Sequence, residues 1–271
     1  LRAMKAAQEE RVQKMMDNLN ANVTTMLHLT SPIKGKQSET FSAREAAKAF
    51  LPHMRAESEY AMTIAVPASG EYKSTGYWQS AEHWLDNNYK YTVEAKLNNH
   101  PNSHFSVFSI APIPLIIKLG FLMGDKVRSN VYQKTKYPDT WEWQSTELTN
   151  DFMVEEKAFE SGAGVAIVLS VTAEIEIAAV HNAKAFRKIY ILRANRQGDE
   201  SIKSEKDLSD FWHKYKELCE SLKEEETVSV FPAVPVSAAF EMGRRYMVGV
   251  YPKMIIYDRE KEFFETLTIG G

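Results

Sequence analysis

Ser106-Val107-Phe108-Ser109-Ile110-Ala111-Pro112 returns as Ser229-Val230-Phe231-Pro232-Ala233-Val234-Pro235, and in both copies a glycine stands eight residues beyond the last proline, at Gly120 and Gly243. The offset is 123 residues throughout, and it grows to 125 between Val131-Tyr132-Gln133 and Ile256-Tyr257-Asp258. Solenoid repeats run to roughly 20 to 50 residues, so this period predicts instead two copies of one small domain with a pseudo-symmetric cleft between them.

The surroundings of each phrase follow one order. In the first half a strand is expected over residues 60–66, buried on both faces and ended by Pro67-Ala68-Ser69-Gly70. A helix follows from about Trp78 to Leu97 with Trp84, Leu85 and Tyr89 on its apolar side, then a strand from His104 to Phe108. Pro112 and Pro114 open the next helix, where a missing N–H costs little, and a strand over residues 127–133 closes the set. The second half repeats this as a strand over 187–193, a helix over 208–222, a strand over 227–231, a helix over 236–247 and a strand over 253–257. Strand and helix in alternation predict α/β units, each a parallel sheet with right-handed crossovers in the Rossmann manner. The two halves are expected over about residues 56–145 and 160–271.

Other segments frame them. Leu1, Met4, Val12, Met15, Met16 and Leu19 recur at helical spacing among charged residues, which predicts a linker helix over residues 1–22 continuing from an upstream domain. Val23 to Leu29 reads as a strand, and Ser42 with Glu45 as a capping box for a helix ending near Phe50; the first 55 residues look like a lead-in. Trp141-Glu142-Trp143-Gln144 and residues 164–177 read as further strands, the second of them, with its run Val165 to Val171, starting the second half.

Composition excludes several functions. Of 271 residues, 44% are hydrophobic and 25% charged, and the net charge is -3, so nothing attracts duplex DNA or anionic lipid globally. The single cysteine, Cys219, allows neither an internal disulfide nor a thiolate metal cluster and fits a reducing cytoplasm. No apolar run approaches the roughly 18 residues of a membrane span. His100 and His104 are separated by Pro101 and Asn102, which denies them a shared helical face for a metal. Gly162-Ala163-Gly164 lacks the remainder of a dinucleotide fingerprint, and Glu174 and Glu176 read as a solvated strand face. No catalytic residue or cofactor is expected.

Ligands of open parallel sheets bind beyond the carboxyl ends of strands, where helix N-termini present amides to phosphate. The repeated phrases lie there, with small residues at Ser109, Ala111, Ala233 and Ser237 beside Pro112 and Pro232. Strand ends add Tyr132, Gln133 and Lys134 in the first half, Tyr257, Asp258 and Arg259 in the second, and Arg193 with Asn195. Trp141 and Trp143 face one side of their strand and join the candidates as base-stacking residues.

The segment from His104 through Ala111-Pro112-Ile113-Pro114 and Gly120, Val131-Tyr132-Gln133, Trp141-Glu142-Trp143, and Phe231-Pro232-Ala233-Val234-Pro235 with Gly243-Arg244 resembles the SAVED domain of CBASS anti-phage effectors. The resemblance spans roughly residues 23–271. It implies two fused CARF-like units forming one pocket for a cyclic oligonucleotide second messenger, with ligand-driven self-association switching on a fused effector in the bacterial cytoplasm. Leu1-Arg2-Ala3-Met4-Lys5 with Glu9-Glu10-Arg11 is similar to the linker after an HNH endonuclease, which implies a cyclic dinucleotide, such as a cGAMP isomer, ahead of a trinucleotide. Direct DNA binding by this chain is not expected. Two alternatives stay open: a CARF-type ring nuclease that cleaves the cyclic oligonucleotide, and a scaffold that binds only protein.

Overall fold

Two parallel sheets with four helices packed between them organise the chain, which a computed structural model describes over residues 11–12, 22–36, 40–67, 70–144 and 149–271. The linker helix expected over residues 1–22 lies almost wholly outside the described residues. Each unit has the α/β alternation expected from its sequence.

The first sheet consists of β1 (Asn22–Thr30), β2 (Met54–Ala56), β3 (Met62–Ala65), β4 (Phe105–Ile110) and β5 (Ser129–Tyr132). Strand β1 is central: β2 and then β3 pair along one side of it, β4 pairs along the other, and β5 lies beyond β4, all parallel. The first unit therefore opens at Asn22 rather than near residue 56. The supposed lead-in supplies the middle strand, because a parallel sheet is threaded by crossovers and chain order does not reveal strand order. Strand β3 sits at the edge; Ile64 is buried but Thr63 and Ala65 are exposed, so it is not buried on both faces.

The second sheet runs β13-β12-β11-β9-β10-β8. Its parallel centre is β9 (Val165–Ser170), β10 (Lys188–Ala194), β11 (Thr227–Ala233) and β12 (Lys253–Arg259), flanked by the antiparallel strands β8 (Phe152–Ala158) and β13 (Phe263–Ile269). The order β10-β9-β11-β12 matches β3-β1-β4-β5, so the sequence repeat is a structural repeat. A two-residue ladder joins β6 (Thr135–Lys136) and β7 (Asp139–Thr140) after the first sheet. Residues 141–144 continue as an irregular segment, not a strand, and beyond Ser170 the chain turns so that Ile177 opens a helix, which removes Glu174 and Glu176 from any strand face.

The described helices are α1 (Ala43–Ala46), α2 (Thr75–Tyr89), α3 (Ala95–Asn99), α4 (Ile113–Met123), α5 (Ile177–Ala183), α6 (Glu205–Ser221) and α7 (Val236–Arg244). Ser42 caps α1, Ser74 caps α2, and Ser204 with Asp207 forms a full capping box on α6. A π turn at Lys90–Glu94 joins α2 to α3. Leu85 and Tyr89 are buried as expected, whereas Trp84 is exposed.

One continuous core runs between the sheets. Leu27, Leu29 and Val107 enter it from the first sheet, Ile167, Leu169 and Val230 from the second, and Leu115, Phe211, Tyr215 and Phe240 from the helices. Each such side chain contributes about 1.5 to 3 kcal/mol by leaving water. The outer faces carry smaller cores, and there the repeat shows again: Phe108 stacks on Tyr132 at 5.2 Å in one unit and Phe231 on Tyr257 at 4.2 Å in the other.

The repeated glycine is where the units touch. A Cβ on Gly120 would stand 2.2 Å from the carbonyl oxygen of Phe240, and one on Gly243 would stand 1.9 Å from that of Ile117. Ile117 and Phe240 are themselves 123 positions apart, so α4 and α7 cross at a pseudo-twofold axis. Only a residue without a side chain allows backbones this close.

Candidate functional site

The carboxyl end of β4 leads through Ser109, Ile110 and Ala111 into α4, and these three residues floor a cleft of about 600 Å³. Lys134, Lys136, Tyr137 and Asp139 on the β6–β7 hairpin form one wall. Val236, the first residue of α7, brings in the second unit, and Ile33, on the arm after β1, completes the lining. The cleft is thus shared by both units at a strand end and two helix starts, the place at which open α/β sheets take ligands.

Local chemistry suits an anion with an aromatic part. Neither Pro112 before α4 nor Pro235 before α7 offers a side-chain cap, which leaves first-turn amides of α7 to a ligand or solvent. Lys134 pairs with Asp139 at 3.1 Å, and Lys136 and Tyr137 are exposed beside it. Thr135 closes the hairpin by donating to the carbonyl of Pro138 at 2.6 Å, which holds Tyr137 at the rim. The hydroxyl of Ser109 is buried in the floor and has no hydrogen-bond partner in the protein. A buried, unpaired hydroxyl costs free energy unless something binds it.

The sequence-derived candidates divide sharply. Ser109, Ala111 and Lys134 line the cleft, and Pro112 is buried directly behind its floor. Pro232 and Ala233 end β11 half-buried, with the Ala233 carbonyl accepting from the amides of Val171 and Thr172. Tyr132, Trp141 and Tyr257 do not face the cleft; strand parity turns Tyr132 and Tyr257 into the outer cores, and Trp141, on the irregular segment after β7, meets Phe108 there edge-on at 5.1 Å. Trp143 is half-buried between two cores. Their aromatic character was legible in the sequence, but their facing was not.

Charged candidates are equally redistributed. Arg193, near the end of β10, is held by Glu174 at 2.6 Å and Glu155 at 2.6 Å, so its guanidinium is already matched by two carboxylates. Asn195 is exposed, and its amide donates to the carbonyl of Asp151. Arg259 lies over the ring of Phe263 at 5.2 Å. Asp258 accepts from the Tyr72 hydroxyl at 2.5 Å, and burial raises its carboxyl above the ordinary aspartate value. Gln133 donates to the carbonyl of Ile202 at 2.6 Å and accepts from the Ser237 hydroxyl at 2.5 Å. Ile33, Lys136, Tyr137 and Val236 were missed, since nothing local in the sequence shows that the arm after β1, the β6–β7 hairpin and the start of α7 meet at one cleft.

Among the described residues no group of His, Cys, Asp and Glu side chains is arranged to hold a metal ion. The fold is that of two fused CARF-like parallel α/β units. The chain belongs to the SAVED family: the model of the SMODS-associated and fused to various effectors sensor domain matches residues 87–269. The Acinetobacter baumannii Cap4 SAVED/CARF-domain containing receptor with the cyclic trinucleotide 2′3′3′-cAAA is similar at TM-score 0.56 and 11% identity, over 92% of this chain and 52% of the receptor. The same receptor with 3′3′3′-cAAA gives a TM-score of 0.54 at 12% identity, over 79% of this chain and 50% of that one. The Moraxella osloensis Cap4 receptor gives 0.52 at 13% identity, over 93% and 50%. At these identities the likeness is one of fold, and the chain spans about half the length of the receptors. No curated protein is similar enough in sequence to match.

Proposed function

We propose that this chain is a sensor that binds a cyclic oligonucleotide in the cleft between its two units, without catalysis, and passes the binding event to an effector. The observation that carries the reading is the buried, unpartnered hydroxyl of Ser109 in the floor of a cleft lined from both repeats of a sensor-family fold. In this reading phosphate takes the Ser109 hydroxyl, Lys134, Lys136 and the first amides of α7, while a base stacks on Tyr137.

A trinucleotide ring is favoured, because the similar Acinetobacter baumannii Cap4 receptor was solved with two cyclic trinucleotides. The dinucleotide expectation rested on the HNH-like N-terminal segment, and nothing in the cleft supports it. Ligand-driven self-association, an HNH endonuclease as the effector and a bacterial cytoplasmic setting belong to the same proposal. No helix among the described residues is long and apolar enough to cross a membrane.

Titration calorimetry with 2′3′3′-cAAA, 3′3′3′-cAAA and a set of cyclic dinucleotides tests the reading. Saturable binding is expected for at least one ring, with stabilisation of about 2.7 kcal/mol at a hundred times the Kd. Lys134→Ala should weaken it about tenfold, the loss of one charge-assisted bond. Ser109→Ala should have two effects of opposite sign: weaker binding and a free protein more stable by about 1 kcal/mol, since an unpaired buried hydroxyl is gone. Heat-silent titrations and unmoved melting temperatures with every ring would refute the sensor reading.

A further inference from the structure

Each unit sends the end of its last parallel strand across to the other unit, and the two crossings are equivalent by position. Gln133 follows Tyr132 at the end of β5, and Asp258 follows Tyr257 near the end of β12. Gln133 reaches the carbonyl of Ile202, three residues before α6; Asp258 takes the hydroxyl of Tyr72, three residues before α2. Both ties therefore join a strand end of one unit to the loop that enters the helix following β3 or its equivalent β10 in the other. Their chemistry differs, an amide in one and a carboxyl with a phenol in the other.

The first tie has a further branch to Ser237 on α7. Lys134 comes directly after Gln133 and Val236 directly before Ser237, and both line the cleft, one from each unit. The Gln133–Ser237 bond thus connects the two walls from behind, one residue back from each. The second tie lies beyond the arm after β1: Ile33 lines the cleft, and the charge of its neighbour Lys34 acts on Asp258. Gln133 is buried, so separating the walls strands its amide without partners.

Resting on the cyclic-oligonucleotide reading above, we infer that Gln133 and the Tyr72–Asp258 pair are positioning residues that select ring size. Rings built from the same nucleotide offer the same kinds of phosphate and base and differ in their number and in span. A site shared by two units can favour one ring by the spacing at which those units are held, and both ties join the units: Gln133 directly behind the cleft and Tyr72–Asp258 at the equivalent position.

The test compares 3′3′3′-cAAA with 3′3′-cyclic di-AMP, which share base and linkage and differ in ring size. Calorimetric Kd values are measured for the wild type, Gln133→Ala, Tyr72→Phe, the double variant and Asp258→Asn. Tyr72→Phe keeps the ring that packs on Tyr77, Trp78 and Phe264 and removes only the hydroxyl, so it preserves the folded core. We expect the wild type to separate the two rings at least tenfold, Gln133→Ala and Tyr72→Phe each to reduce the ratio several-fold, and the double variant to bring it within about twofold. Asp258→Asn, whose carbonyl oxygen still accepts from Tyr72, should keep the wild-type ratio. A wild type that binds both rings equally, or a ratio unchanged in Tyr72→Phe and Gln133→Ala, overturns the inference alone. A wild type that binds neither overturns the cyclic-nucleotide reading and this inference with it.

Discussion

Ser106 and Ser109 stand three residues apart on β4, and their hydroxyls meet opposite fates: Ser106 bonds the hydroxyl of Thr24 at 3.0 Å, while Ser109 bonds nothing in the protein. Strand parity makes the difference, pointing Ser106 with Phe108 to the outer face and Ser109 inward to the cleft. On the same outer face His28 stacks on Phe41 at 4.0 Å, its Nε2 is without a partner, and burial lowers its pKa from 6.5 to about 4. The unfolded chain takes up this proton below pH 6.5 and the folded protein does so only near 4, so stability is lost as pH falls through that window, by roughly 3 kcal/mol in all. Urea midpoints of the wild type should drop between pH 7 and 4, and His28→Leu should lack that part of the slope; parallel curves would show that His28 protonates freely when folded. At this scale the sequence was half legible. Tyr132 and Tyr257 were visible as repeat partners, but both faces of their strands are covered, so no polar alternation showed which way they point.

The repeated phrases each comprise a strand end, a proline-started helix and a glycine in the second half of that helix. The first two parts were readable from the chain, since Pro112, Pro114 and Pro235 punctuate it where helices start. The glycine had no local explanation; α4 and α7 supply one by crossing with Gly120 and Gly243 against each other's backbones. Alanine at either position should cost about 3 kcal/mol, because backbone on the facing helix cannot move aside as a side chain would. Gly76→Ala, in the first turn of α2 with nothing within 4 Å of the added carbon, should instead stabilise by about 0.5 to 1 kcal/mol. Chemical denaturation of the three variants checks both signs. Equal small effects at Gly120 and Gly76 would mean that the helices are not in contact.

A single core joins the two units, with Leu27 and Val107 of one sheet and Ile167 and Val230 of the other in the same apolar cluster. Separating the units would expose the facing sides of α4 and α7, so neither half should melt before the other. Scanning calorimetry should record one transition whose calorimetric and van't Hoff enthalpies agree, and two resolved transitions would contradict a shared core. Duplication, element order and the α/β class were all present in the chain itself, because repeats and apolar runs are properties of neighbouring residues. Tertiary structure alone decided that the lead-in strand β1 is central, that Arg193 is matched by Glu155 and Glu174, and that Lys134, Tyr137 and Val236 share one cleft. The reason is distance along the chain: Gln133 and Ser237 bond across 104 residues, and a contact formed by folding two halves together leaves no pattern in either.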